Sequence, residues 1–200
     1  IVLVLLPGGR FRMGSPEGAA LSTAAEVPAH EIDLAPFLCS KFETTQGQWL
    51  RIAGTNPSRF RPDVYEETPL LDFDLTLAFP LTNVAHGEVV EAAARLELEL
   101  PTEAQWEYAA RGGTETAFWT GDAPRSVVVR RGGNTNASAW QNDTQLPFGD
   151  GAAIVTRVGA FAPNPFGLHD VIGNVCEWTL DRLCQYGGPV RAGDALREDA

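Results

Sequence analysis

The sequence predicts a single α+β domain in which short helices and strands alternate with much irregular structure. Three observations predict this class. Short apolar runs occupy residues 1–42, a capped amphipathic helix is expected at about 103–111, and residues 112–152 are rich in Gly, Asn, Asp and Thr. An irregular stretch of that length inside a compact domain needs an ordering agent, and metal ions are the obvious candidate.

Composition limits the number of domains and the kinds of partner. The chain has 200 residues, 44% of them hydrophobic, and no low-complexity linker divides it. A chain of this size can bury one sizeable core, so we predict one domain over residues 1–200. The 15 basic and 26 acidic residues give a net charge of -11. That charge opposes binding to nucleic acid and to anionic lipid surfaces, and it favours association with cations.

The first part of the chain reads as strands separated by turns. Short apolar runs lie at 1–6, 11–13, 30–34 and 37–42, and the last two predict strands because apolar residues alternate there. The opening apolar run ends at Pro7, far short of the roughly 20 residues that span a membrane, so it predicts a buried strand. The chain begins inside this strand, and the cellular compartment therefore stays open.

The helix at about 103–111 has the strongest local signals. The Thr102 hydroxyl can accept from the backbone of Gln105 while the Gln105 side chain reaches back to Thr102, and Gly112 can adopt a left-handed cap. The same capping pair, Thr45 with Gln48, predicts a helix at about 45–53.

Periodicity predicts two further elements. Apolar residues at helical spacing predict a helix near 87–95, and an apolar run predicts a strand at about 154–158.

Two carboxylates flank a tight turn near the end of the chain. Asp170 and Glu177 lie on either side of Gly173-Asn174, so the backbone carbonyls of Gly173 and Val175 can face the same point as both acids. Hard oxygen ligands of this kind suit calcium, which takes 6–8 of them. The alternative is an ordinary turn with two solvated acids nearby.

The three cysteines, Cys39, Cys176 and Cys184, match neither a disulfide-rich scaffold nor a paired zinc motif. They are interpreted as buried or unreactive thiols. A Cys176–Cys184 disulfide is the alternative if the chain is exported, although sequence separation does not supply the required geometry.

Six segments together resemble the sulfatase-modifying-factor family, whose best-known members are the formylglycine-generating enzymes. They occur in the family's order and reach from residue 6 to about 181. The segments are LPGGRFRMGS at 6–15, EVPAH at 26–30, FETTQGQW at 42–49, PLTNVA at 80–85, LPTEAQWEYAARGG at 100–113 and NPFGLHDVIGNVCEW at 164–178. The resemblance implies a variant of the C-type lectin fold.

The resemblance also implies two calcium sites. It maps one onto Asp170, Gly173, Val175 and Glu177, with side-chain oxygens from the acids and carbonyl oxygens from the middle pair. A second site would use the set Asn136, Ala137, Asp150 and Ala152, with Asn134 as an alternative to Asn136. Ordinary Asx turns are the competing interpretation of this second set.

The family's oxidases bind copper(I) through a cysteine pair near the C-terminus, activate oxygen and oxidise a substrate cysteine to formylglycine. None of the three cysteines here falls at those positions, and the family stretches that follow the calcium motif are missing, so we expect a domain that is C-terminally incomplete relative to the family. The chain as given is therefore expected to lack the oxidase chemistry.

The main functional prediction is a formylglycine-generating-enzyme-like domain without the catalytic pair. The alternative is a non-enzymatic, calcium-stabilised, lectin-like module that binds protein or sugar ligands. A third possibility is an incomplete domain that folds poorly. A protein or peptide is the expected class of substrate or ligand, and the sequence leaves the oligomeric state open.

Overall fold

The computed structural model describes residues 1–18, 22–65, 75–123, 126–127, 133–134, 155–184 and 186–197. The strands are β1 (Leu3–Leu6), β2 (Gly9–Met13), β3 (His30–Leu34) and β4 (Phe37–Ser40). The helices are α1 (Gln46–Ala53), α2 (Pro62–Tyr65), α3 (His86–Ala94) and α4 (Glu103–Arg111), and one 3-10 turn covers Ala24–Glu26. Much of the described chain lies outside these elements, as the sequence predicts for this fold class.

The strands form two antiparallel pairs. β1 pairs with β4, from Leu3 opposite Ser40 to Leu6 opposite Phe37. β2 pairs with β3, from Gly9 opposite Leu34 to Met13 opposite His30. The predicted strands are confirmed, but β1 is not the buried strand that the sequence predicts, because Leu3 and Leu5 are exposed and only Leu6 is buried. The fourth strand ends at residue 40 and not at 42, because the Ser40 hydroxyl donates to the carbonyl of Phe42 and the chain turns there.

The capped helices begin and end close to the predicted positions. In α4 the Thr102 hydroxyl accepts from the Gln105 amide at 3.1 Å and the Gln105 side chain accepts from the Thr102 amide at 3.0 Å. Gly112 closes the helix at φ 61. α1 has the same reciprocal pair in Thr45 and Gln48. Local hydrogen bonds to otherwise unpaired amides explain why these boundaries are readable from the sequence.

The hydrophobic core lies between the strands and α4. Its buried members are Leu6, Met13, Ile32, Leu34, Ala104, Tyr108, Ala109, Leu168 and Ala195. Tyr108 connects the layers, because its ring packs edge-on against Phe11 and its hydroxyl donates to the carbonyl of Gly8 at 2.5 Å. A buried tyrosine hydroxyl needs such a partner. Leu168 joins this core from the segment that carries the acidic turn, so the core positions the candidate site.

The predicted strand at about 154–158 is wrong over its described residues, 155–158, which form no ladder. The Thr156 amide instead donates to the side-chain carbonyl of Asn174, and the Val158 amide donates to the carbonyl of Ala78. A side chain and a loop thus take the hydrogen bonds that a partner strand would have received. Within the described residues, no helix is long and apolar enough to cross a membrane.

Candidate cation site and ligand cleft

Asn164 holds the start of the segment that leads to the acidic turn. Its buried side chain donates to the carbonyl of Ala109 at 2.6 Å, near the end of α4. Its side-chain oxygen accepts from the amides of Phe166 and Leu168. One side chain therefore satisfies a helix carbonyl and forms the following turn, which sets where Asp170 emerges.

Asp170 is buried in a strained backbone conformation. It is 1% exposed and has φ 59. One carboxylate oxygen, Oδ2, accepts from the Gly159 amide at 2.5 Å. The other, Oδ1, has no hydrogen-bond partner among the described residues. Burying an unpartnered carboxylate oxygen is costly, so this atom is a feature that a cation would explain.

The Gly173-Asn174 turn is packed directly against Asn134. Both turn residues have positive φ, 78 and 63. The Asn174 amide donates to the carbonyl of Asn134 at 3.1 Å, and a Cβ on Gly173 would lie 1.9 Å from that same carbonyl oxygen. Only glycine fits here. The contact also brings Asn134, the alternative ligand of the second predicted site, beside the first.

The side chain of Asn174 is the centre of a buried polar network. Its Nδ2 donates to Glu43 Oε2 at 2.7 Å. Its Oδ1 accepts from Asn134 Nδ2 at 3.2 Å and from the Thr156 amide at 2.8 Å. The network attaches the turn to the segment before α1 and to the segment after residue 154.

Glu177 lies at the mouth of a cleft, and its side chain is exposed to solvent. The indole nitrogen of Trp106 donates to its Oε2 at 3.2 Å. Trp106 projects from α4, so the helix and the acidic segment meet at this contact. The sequence places Trp106 on a helix face without indicating this hydrogen bond.

The carboxyl groups of Glu43, Asp170 and Glu177 share one electrostatic environment. Burial raises the pKa of Glu43 well above its ordinary value, and the charges of Glu177 and Asp170 raise it further, against the lowering effect of Asn174 and of the Val175 backbone. Burial also raises the pKa of Asp170, against the hydrogen bond from Gly159 and the charge of His169. Loss of hydration raises the pKa of Glu177 against the hydrogen bond from Trp106, and Asp170 adds to the rise, although solvent screens much of this effect because the side chain is exposed. Burial first, and mutual repulsion second, therefore disfavour the charged forms of these acids.

The structure places half of the predicted metal ligands. Asp170, Gly173, Val175 and Glu177 lie on one described segment around a single turn, although the Gly173 carbonyl also accepts from the Val175 amide at 2.9 Å. The second predicted set, Asn136, Ala137, Asp150 and Ala152, falls outside the described residues. Across the described ranges, no three His, Cys, Asp or Glu side chains are gathered closely enough to hold a metal by themselves. Carbonyl oxygens would have to complete any calcium shell.

The cysteines do not form a copper(I) site in the described structure. Cys39 and Cys184 are half-buried and Cys176 is exposed, and all three are free thiols. The structure thus holds neither the Cys176–Cys184 disulfide nor a buried Cys176. Burial raises the pKa of Cys39 to about 11, and the charge of Glu177 adds to the effect. Copper(I) binds thiolates, and the raised pKa lowers the thiolate fraction of Cys39 at neutral pH.

A cleft of about 840 Å³ opens beside the acidic segment. β4, α1, α3 and α4 contribute to its wall, which includes exposed apolar side chains and the aromatic rings of Trp106 and Trp178. Among the described residues that line it there are no lysines or arginines. Its carboxylates are Glu43, Glu97, Glu99, Glu177 and Asp194.

A second cleft of about 1050 Å³ shares Trp106, Glu177 and Trp178 with the first. Trp178 is held between α3 and the acidic segment, because its indole nitrogen donates to the carbonyl of Val84 and its ring packs edge-on against His86. The two clefts therefore border a common aromatic and acidic ridge.

Fold and site together define a loop-rich α+β domain organised around a buried acidic turn. The chain belongs to the sulfatase-modifying-factor family: the family model described as "Sulfatase-modifying factor enzyme 1-like domain" matches residues 2–196. The fold, the family and the formylglycine-generating-enzyme-like character predicted from the sequence are confirmed.

Individual relatives span active and inactive members. A formylglycine-generating enzyme of Thermomonospora curvata is 29% identical over 221 residues, which cover 90% of this chain and 71% of that protein. The inactive C-alpha-formylglycine-generating enzyme 2 of Bos taurus is 27% identical over 226 residues, with 90% and 70% covered. Among solved structures, PvdO from Pseudomonas aeruginosa superimposes with a TM-score of 0.74 at 27% identity and covers 99% of this chain and 77% of its own.

Glu43 is the residue that sequence reasoning missed. It lies inside the FETTQGQW segment, but neither the motif nor its spacing shows that its carboxylate is buried against the acidic turn. The sequence signal for its burial was its position between the aromatic Phe42 and the start of a capped helix, where an exposed acid is less expected.

Proposed function

We propose that this chain is a cation-stabilised member of the family whose cleft holds a polypeptide ligand, without oxidising it. The observation that carries the proposal is the wall of the cleft, which combines apolar side chains, three tryptophans and carboxylates, with no lysine or arginine among the described lining residues. Its volume of about 840 Å³ suits part of an extended chain.

The chemistry of the wall selects the kind of ligand. Leu38 on β4 is 60% exposed and Trp178 is 49% exposed, so apolar surface is available to a partner. Glu97 and Glu99 add negative charge nearby. The complementary ligand is a segment that carries both apolar side chains and lysine or arginine, because its cations would also pack on indole faces.

Calcium is proposed for the acidic turn. Asp170 Oδ1 and Glu43 Oε1 are buried and have no hydrogen-bond partner within the described residues, which fits a missing positive charge. Asp170, Gly173, Val175 and Glu177 would hold the ion. Bound calcium would neutralise the acids and fix the segment that also lines the cleft.

The state of the cysteine thiols supports ligand binding without oxidation. The raised pKa of Cys39, about 11, keeps this thiol protonated near neutral pH, whereas copper(I) and nucleophilic chemistry need the thiolate. A relative whose name describes it as inactive is 27% identical to this chain, so the family includes members of that kind.

Peptide binding tests the proposal. A fluorescent peptide that alternates Leu and Lys should bind more tightly than its Leu–Glu counterpart in physiological salt, measured by anisotropy. Leu38→Ser and the double change Glu97→Gln with Glu99→Gln should each weaken binding about fivefold or more. The matched controls lie outside the clefts: Val64→Ser, and Glu31→Gln with Glu115→Gln.

Three outcomes count against the proposal. Equal loss in the control variants would show that net charge alone attracts the peptide. Dimerisation through the Leu38 face, seen by sedimentation, would make a second copy the occupant. Copper-dependent oxygen uptake with a cysteine peptide, whether or not Cys39→Ser abolishes it, would contradict a non-oxidising role.

A further inference from the structure

Glu43 is a buried acid with half of its carboxylate unsatisfied. It lies just before α1 and is 8% exposed. Oε2 accepts from the Asn174 side chain at 2.7 Å, while Oε1 has no hydrogen-bond partner among the residues that the structure describes. A buried carboxylate oxygen without a partner is costly unless positive charge lies nearby.

The second unsatisfied oxygen belongs to Asp170. This residue is 1% exposed, and its Oδ1 is unpartnered within the same described part of the chain. The charges of Asp170 and Glu177 each act on Glu43, so the three acids lie within electrostatic reach of one another. Two buried oxygens without partners in one acidic environment point to a cation.

Compensating charge from the protein is small. The ion pairs found among the described residues are Arg61–Asp63, Arg95–Glu91, Arg111–Glu107, Arg191–Asp194 and Arg197–Glu103, and none involves Glu43, Asp170 or Glu177. His169 lowers the pKa of Asp170 through its charge. The carboxylates therefore remain mutually repulsive unless an external cation or protons are bound.

Glu43 also controls the shape of the turn. Asn174, to which it is hydrogen-bonded, lies between Gly173 and Val175, the two residues predicted to offer carbonyl oxygens. The hydrogen bonds of the Asn174 side chain, including the one to Glu43, therefore restrain the backbone between these two carbonyl groups.

We propose that Glu43 is the third acid of the cation site: it acts as a positioning residue, orienting the Gly173–Val175 turn through Asn174 and adding negative charge behind the ion, without being a ligand itself. This inference rests on the calcium proposal. It predicts two effects of opposite sign. Removing the charge of Glu43 should weaken calcium binding and should also relieve repulsion when no calcium is present.

The experiment measures both effects on the full chain. After treatment with a chelator, calcium alone is titrated by calorimetry, and the thermal midpoint is recorded with and without calcium. For Glu43→Gln, we expect a calcium Kd raised about tenfold or more and a calcium-free midpoint equal to or above that of the unmodified chain. Glu43→Asp keeps the charge and should recover part of the affinity. Glu31→Gln, at an exposed acid outside both clefts, is the matched control.

The outcomes separate the two proposals. If the unmodified chain does not bind calcium, both fail. If it binds calcium and Glu43→Gln binds equally well, only the role of Glu43 fails. A Glu43→Gln variant with a lower calcium-free midpoint and an unchanged Kd would make Glu43 an ordinary structural residue and overturn the inference.

Discussion

Asn174 donates a hydrogen bond of 2.7 Å to Glu43, a residue 131 positions earlier in the chain. Both side chains are buried, and the same Asn174 accepts from Asn134 and from the Thr156 backbone. One amide therefore joins the start of α1, the acidic turn and two intervening loops. Removing the Asn174 side chain should therefore lower the stability of the fold and also change the geometry of the candidate cation site.

Replacing Asn174 should destabilise the fold strongly. Asn174→Ala leaves the Glu43 carboxylate and the Thr156 amide without a shared partner, and we expect a loss of about 3 kcal/mol in the free energy of unfolding, measured in urea. Asn174→Gly separates loss of the hydrogen-bond network from backbone strain, because it also removes the side chain but glycine tolerates φ 63. If the glycine variant is as stable as the unmodified chain, the network contributes little and the prediction is wrong.

Gly173 should tolerate no side chain. In Gly173→Ala the new Cβ would meet the Asn134 carbonyl oxygen at 1.9 Å, so the turn must move. Gly167→Ala is the matched control, since Gly167 also has positive φ, 81, but a Cβ added there would meet nothing within 4 Å. We expect Gly167→Ala to cost about 1–2 kcal/mol and Gly173→Ala at least about 2 kcal/mol more, by urea denaturation. Equal costs would mean that the turn is not packed on Asn134.

The cysteines should differ sharply in reactivity. With a pKa of about 11, Cys39 carries about one thiolate per thousand molecules at pH 8, whereas Cys176 is exposed to reagent. Brief alkylation with iodoacetamide, located by mass spectrometry, should label Cys176 and spare Cys39 until the pH approaches 11 or urea unfolds the chain. Glu177→Gln should make Cys39 more reactive, because Glu177 helps to raise its pKa. Equal labelling rates in the folded chain would contradict the prediction.

The Arg191–Asp194 pair should contribute a small stability that disappears in acid. The hydrogen bond from Arg191 lowers the pKa of Asp194 below its ordinary 3.8. Because the folded pKa is the lower one, the stabilisation is present above about pH 3.8 and is lost as the pH falls through the folded pKa. Both side chains are partly exposed, so Arg191→Ala should cost only about 0.2–1 kcal/mol at neutral pH. A cost that persists at pH 2, or an equal cost in the exposed control Arg182→Ala, would contradict this assignment.

The sequence by itself determined the local elements and the family. α4 was predictable because Thr102, Gln105 and Gly112 satisfy its ends with groups only a few positions away. The acidic pair and the glycine of the turn were visible for the same reason, since they lie within eight positions, 170–177.

Tertiary structure alone decided which distant groups share the site. The failed strand prediction at 154–158 shows why: the Thr156 amide finds its acceptor on Asn174, and no short-range pattern encodes that partner. Likewise, Glu43 reads as a polar residue before a helix until the fold buries it against Asn174. Burial and electrostatic coupling depend on which segments the core brings together. The hydration of a carboxylate, and therefore whether it needs a cation nearby, is decided only when the chain has folded.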